Sequence, residues 1–167
     1  MNASPSRAGS FLLTREIAQR AIDRVAAVLD DATRDPHVNQ GGFCHVVVMD
    51  PARVPGEASF EEAILLEHSC GGPRDTWDAD YAGFARAKAR LSWEHRCDSS
   101  VLQQQRPWLL REGDTTLWGS VWLDGLVVSV SGGEAEFDEA FAGMVAMLMR
   151  AETRLEARTR ERQLFLK

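Results

Sequence analysis

The side chains best suited to chemistry are four histidines, three cysteines, a basic run on a helical pattern and a glycine pair before another helix. Neutral imidazole is the commonest protein ligand for metals, and thiolate is a soft one. His45 falls inside an apolar run, His68 ends one, His95 closes a helical pattern and His37 sits in a loop. None has the H-x-x-x-H or comparable spacing of a zinc site. His68 is the foremost candidate metal ligand, because it precedes the glycine-rich Cys70-Gly71-Gly72. Cys70 is the alternative thiolate, set against the plainer role of a buried thiol. His95 is accounted for by its place at a helix C-terminus, where the helix dipole favours a cation.

Arg86, Lys88 and Arg90 are candidates to pair with ligand carboxylates. They alternate around their helix, so a solvated charged face is the plainer reading. Gly132-Gly133, at the start of the last helix, could cradle an anion. A sharp strand-to-helix corner explains the same pair without a ligand. Glu67 beside His68, or Asp138 with Glu139, has the groups for acid–base work, but spacing alone does not bring either pair to a reacting atom. Five tryptophans fit the lining of a planar-ligand pocket, or equally core and subunit-interface packing. Trp118 and Trp122 share one strand face with Ser120 between them, and Trp118 is a candidate ligand contact. There is no nucleophile elbow, P-loop or G-x-G-x-x-G.

These residues need elements to hold them. Thr14 caps a first helix whose Ile17, Ala18, Ala21, Ile22, Val25, Val28 and Leu29 recur at helical spacing, and which stops near Thr33 before Asp35-Pro36. A valine-rich strand runs from Phe43 to Met49, then a proline-rich loop over 51–60. A returning strand covers Ala63 to His68, a stretch whose Glu and Leu content also suits a helix. A second helix runs from Asp80 to His95, with Tyr81, Phe84, Ala85, Lys88, Leu91, Ser92 and His95 on one face. A short helical turn starts at Ser99 and ends near Pro107. Two further strands flank Asp124-Gly125, a strong hairpin signal because both central residues need positive φ. The last helix starts near Glu134 with a stripe of Phe137, Phe141, Val145, Leu148 and Met149, and continues past Arg150 as a charged, solvated helix. Leu164-Phe165-Leu166 either docks on a neighbouring subunit or frays. Without βαβ alternation, this order predicts an α+β fold with an antiparallel sheet.

A chain of 167 residues with 44% apolar content makes one domain with a real core. The expected parts are a flexible tail over 1–10, a domain over 11–150 and a charged helical extension over 151–167. A net charge of −6 argues against nucleic acid as the partner. No apolar run reaches a membrane span of about 20 residues. An odd number of widely spaced cysteines predicts reduced thiols and a cytoplasmic protein.

Three motifs, in order, resemble the GlcG/HbpS-like family, the haem-binding proteins of the GlcG type, related to the C-terminal domain of PduO proteins. They are Leu13-Thr14-Arg15-Glu16-Ile17-Ala18, the Ala85-Arg86-Ala87-Lys88-Ala89-Arg90 helix, and Asp124-Gly125 leading to Ser131-Gly132-Gly133 with Asp138-Glu139 following. The likeness spans about residues 11–150. It implies a profilin- or PAS-like layer fold, with about five antiparallel strands covered by helices and the first and last helices close together. It also implies a homo-oligomer and a small ligand, with haem among the family's ligands. The chain departs from the family at the long 50–62 insertion and at Leu117-Trp118-Gly119-Ser120-Val121, which borders the family's ligand pocket.

The leading expectation is therefore a small-ligand-binding accessory protein for haem or another planar or carboxylated metabolite. His68 is its iron ligand, Arg86 or Lys88 its carboxylate partner, and Trp118, Gly132 and Gly133 further contacts. The alternatives are a small catabolic hydrolase or isomerase on the same fold, and an oligomeric interaction module without a ligand.

Overall fold

Two strands of this protein are buried on both faces, and that fixes the layering. Every residue of β1 (Cys44–Met49) and of β4 (Leu126–Ser131) is buried. Such strands must lie inside a sheet that is covered on both sides. The computed structural model describes residues 9–160, and the sheet order is β2-β1-β4-β3, all antiparallel, with β2 (Ile64–Cys70) and β3 (Ser120–Leu123) at the edges. The architecture is α+β, as the element order predicts. The sheet has four strands among the described residues, rather than about five.

One face carries α1 (Arg15–Ala32) and α5 (Ala135–Thr159), which also pack on each other. Thr14 caps α1 by accepting from the Ile17 N–H. Ile22, Val25 and Leu29 then meet Val46, Val48, Val128 and Val130 of the sheet and Val145 and Met149 of α5. The other face carries α3 (Tyr81–His95), whose Ala85 and Ala89 lie close over Val47, Met49 and Val127. Small residues at that contact let the helix approach the strands. A short α4 (Ser99–Gln105) and the segment over 106–119 lead into β3.

The buried faces of two helices differ from the periodicity reading. In α5 the inward residues are Asp138, Ala142, Val145, Ala146, Met149 and Glu152. Phe141 and Leu148 pack at the flank of the core. The stripe is rotated because Asp138 and Glu152 are buried as partners of Lys88 and of Arg20 and Arg24. In α3, Phe84 is 38% exposed while Trp93 is buried, its indole N–H donating to the Arg53 carbonyl. Between β1 and β2, one turn of helix, α2 (Phe60–Ala63), is opened by a Ser59/Glu62 capping box, so β2 begins at Ile64. Trp118 lies before β3 rather than on it, because Gly119 at φ +132° breaks the extended run.

The hairpin turn forms as its residues require, with Asp124 at φ 52° and Gly125 at φ 95°. Gly132 has φ +144°, and a Cβ there would collide with the Phe43 carbonyl. The expected tail over 1–10 and the end of the extension, including Leu164-Phe165-Leu166, fall largely or wholly outside the described residues. Among the described residues, no helix is long and apolar enough to cross a membrane.

Candidate functional site

Strand pairing places polar side chains from β1 and β2 on the α3 face at one edge of the sheet. Residues i and i+2 of a strand point the same way, so Glu67 and Ser69 share a face. The register sets Ser69 opposite His45. The fully buried His45 ring spans both: its Nδ1 lies 2.9 Å from Ser69 Oγ and its Nε2 3.1 Å from Glu67 Oε1. From α3, Arg86 grips Glu67 with two hydrogen bonds, Nε to Oε1 at 2.8 Å and Nη2 to Oε2 at 2.6 Å. The fork geometry of a guanidinium suits this bidentate contact.

The turn after β2 supplies the rest. Arg74 Nε donates to Ser69 Oγ at 3.1 Å, and its Nη2 lies 3.3 Å from His45 Nδ1. The guanidinium sits 5.4 Å from the Trp77 ring centroid. Trp77 packs edge-on against His45 and Tyr81, with Phe43 beside it, and the Tyr81 hydroxyl donates to Asp78. Arg74 is exposed and, among the described residues, has no carboxylate partner.

The charges fix the protons. The Arg86 hydrogen bonds, helped by His45, hold the Glu67 carboxyl down at about 2. Glu67 is therefore an acceptor only. Burial, with the Arg74 and Arg86 charges, pushes the His45 imidazole below its usual range, against the pull of Glu67. His45 is thus neutral at pH 7. It donates from Nε2 to Glu67 and presents Nδ1 as an acceptor. The arrangement can take a proton from Ser69 or hold an acidic ligand at Arg74.

The candidates named from sequence are scattered. Arg86 belongs to the cluster through Glu67. His68 pairs with Val46, so it faces α1 on the opposite side of the sheet and is half-buried there. Lys88 is buried and committed, with Nζ donating to Val130 O at 2.9 Å and Asp138 Oδ2 at 2.7 Å. The Gly133 N–H donates to Asp138 Oδ1 at 2.9 Å, so the Gly132-Gly133 corner is occupied by the protein's own carboxylate. Trp118 precedes β3, the edge opposite β2. One haem cannot meet both His68 and Arg86 across the sheet, so the residues do not fit the expected iron site. Among the described residues, no group of three or more His, Cys, Asp or Glu could hold a metal ion.

Sequence reasoning missed His45, Ser69, Arg74 and Trp77 as one group. Their signal was available in part: Glu67 and Ser69 alternate on a strand that returns beside His45. Comparison with protein-family models, with curated proteins and with solved structures finds no match to this chain.

Proposed function

We propose that this is a small-ligand-binding protein of the GlcG/HbpS-like type, and that its ligand joins a carboxylate to a flat unsaturated body. One observation carries this reading: Arg74 is an exposed cation without a carboxylate partner among the described residues, seated over an indole and oriented by Ser69. A ligand carboxylate supplies the missing charge, and a flat body has Trp77 and Tyr81 beside it. Haem and other tetrapyrroles meet that description, as do simple aromatic acids; none of them uses His68 here. The finer fold assignment, a profilin- or PAS-like layer, is supported by the packing of α1 on α5 over an antiparallel sheet. A homo-oligomer is supported by Trp108, 76% exposed, with Leu109 and Leu117 also exposed nearby in sequence. A cytoplasmic setting is supported by the free thiols of Cys44, Cys70 and Cys97.

The test is a titration with 2-naphthoate and, separately, haemin, followed by tryptophan fluorescence and calorimetry. Saturable binding is expected for at least the aromatic acid. Hydrogen bonds to a charged group contribute about 1.5–3 kcal/mol, so Arg74→Ala should weaken binding by about ten- to a hundred-fold. His68→Ala should leave it unchanged. Equal affinity of wild type and Arg74→Ala, or no saturable binding of either probe, removes the reading.

A further inference from the structure

We propose that Ser69 is a nucleophile activated by His45, so that the site transfers or hydrolyses the acyl group of esters of flat carboxylic acids. This rests on the reading of the cluster as a ligand site, and it adds chemistry to it.

The geometry is a continuous relay. Ser69 Oγ is hydrogen-bonded to His45 Nδ1, and His45 Nε2 to Glu67. A nucleophile, a base and a group that orients the base are the three parts of such a centre. Glu67 is a positioning residue: as an acceptor it keeps the proton on Nε2, which leaves Nδ1 an acceptor for Ser69 Oγ at 2.9 Å, nearer than Arg74 Nη2 at 3.3 Å. It also stabilises the imidazolium that then forms. Arg86 keeps Glu67 charged through both of its oxygens. Arg74 already donates to Ser69 Oγ, so its cation sits beside the atom that bonds the ester carbon, within reach of the carbonyl oxygen that becomes negative. Access is open in the right place. β2 is an edge strand, Ser69 is half-buried rather than sealed, and Arg74 is exposed.

The step balances without a cofactor. Ser69 Oγ attacks the ester carbonyl carbon as its proton passes to His45 Nδ1. The C=O electron pair moves onto oxygen, facing the Arg74 guanidinium. The intermediate collapses, the C–O bond to the alcohol breaks, and Nδ1–H protonates the leaving alcohol. Water then attacks the acyl-serine, gives its proton to Nδ1, and Ser69 leaves with that proton as the acid is released. The acid produced is the kind of ligand that Arg74 holds.

The full-length protein is treated with a fluorophosphonate probe and examined by intact mass and peptide mapping. It is then assayed on p-nitrophenyl 2-naphthoate. One adduct is expected, on Ser69, and Ser69→Ala, still unfolding in one cooperative transition, abolishes it. Loss of a general base typically costs about 10²–10⁴-fold, so His45→Gln should slow labelling by that order. Because His45 is buried, a second readout uses the wild type alone. Its labelling rate should fall as pH drops through the His45 titration, which Glu67, Arg74 and Arg86 surround. Naphthoate binding without an adduct on Ser69, equal labelling of Ser69→Ala, or a flat pH profile overturns the proposal and leaves the binding reading standing. A Ser69 adduct without naphthoate binding does the reverse.

Discussion

Replacing Lys88 by methionine should be among the most damaging single changes on α3, and the damage should depend on pH. The substitution keeps the long unbranched stem and removes the cation. Both side chains of the Lys88–Asp138 pair are almost inaccessible, at 3% and 2%. Asp138 then stays buried with the Gly132 and Gly133 N–H groups as its remaining partners. Breaking a buried pair from one side costs about 3–5 kcal/mol, a large part of a domain's total of about 5–15 kcal/mol. In the wild type, burial pushes Asp138 up to about 6 from 3.8, with Lys88 and the Gly132 and Gly133 N–H groups pulling it back. A carboxyl whose folded pKa exceeds its unfolded value binds its proton more tightly when folded. Its contribution therefore declines as pH rises from about 4 to about 6, and stays level above that. Without Lys88 the Asp138 pKa climbs further, and the decline reaches neutral pH.

The assay is urea unfolding by tryptophan fluorescence from pH 4 to 8, with equal slopes required before stabilities are compared. The gap between wild type and Lys88→Met should be small near pH 4 and reach its full size near pH 8. Lys88→Met combined with Asp138→Asn should recover much of the loss, because no charge is then buried. A gap below about 1 kcal/mol at pH 7, the value of an exposed pair, would refute the reasoning. So would a gap independent of pH.

Two further outcomes follow from the sheet edge. Cys44 and Cys70 are direct cross-strand partners, and the Cys70 thiol donates to the Cys44 carbonyl at 3.7 Å. Opposite residues have Cα atoms about 4.5–5.5 Å apart, within the disulfide range of about 4.4–6.8 Å. Oxidised glutathione should therefore close this pair and leave Cys97 titratable, slowly at neutral pH because the Cys70 thiol and burial push the Cys44 thiol up. Three free thiols after prolonged exposure would count against it. Glu67→Gln should lower the melting temperature at pH 7. Glu67 is depressed to about 2 from 4.5, so its contribution is present above the upper value and is lost as pH falls toward the lower. Melting curves recorded down to pH 2 should show the gap closing; a constant gap would mean that the carboxylate charge is not the cause.

The fold was legible where one residue type decides a backbone conformation. Thr14, Asp124-Gly125 and Asp35-Pro36 mark their boundaries through hydrogen bonds and dihedrals that do not depend on the rest of the chain. The buried face of α5 was less legible, since hydrophobic period counts Asp138 and Glu152 as solvent residues. Their burial depends on partners distant in sequence, which no local window contains. Trp118 was misplaced for a related reason. Period-two spacing assumes an unbroken strand, and Gly119 breaks it.

The site was illegible because sheet register creates it. His45, Glu67 and Ser69 come from two strands separated by a long loop, and a slip of one residue would turn Glu67 and Ser69 to the other face. That slip would bring His68 to the α3 side, beside Arg86. The expected set of His68 with Arg86 is what the chain would show in the wrong register. What selects the right one is the apolar content of β2. Leu66 must reach the core under α1 and α5, where it meets Val48 and is nearly inaccessible. Burying that leucine fixes the phase of the strand, and the phase assigns Glu67 and Ser69 to His45. Chemistry at this edge of the sheet is thus set by a packing decision one residue away from it.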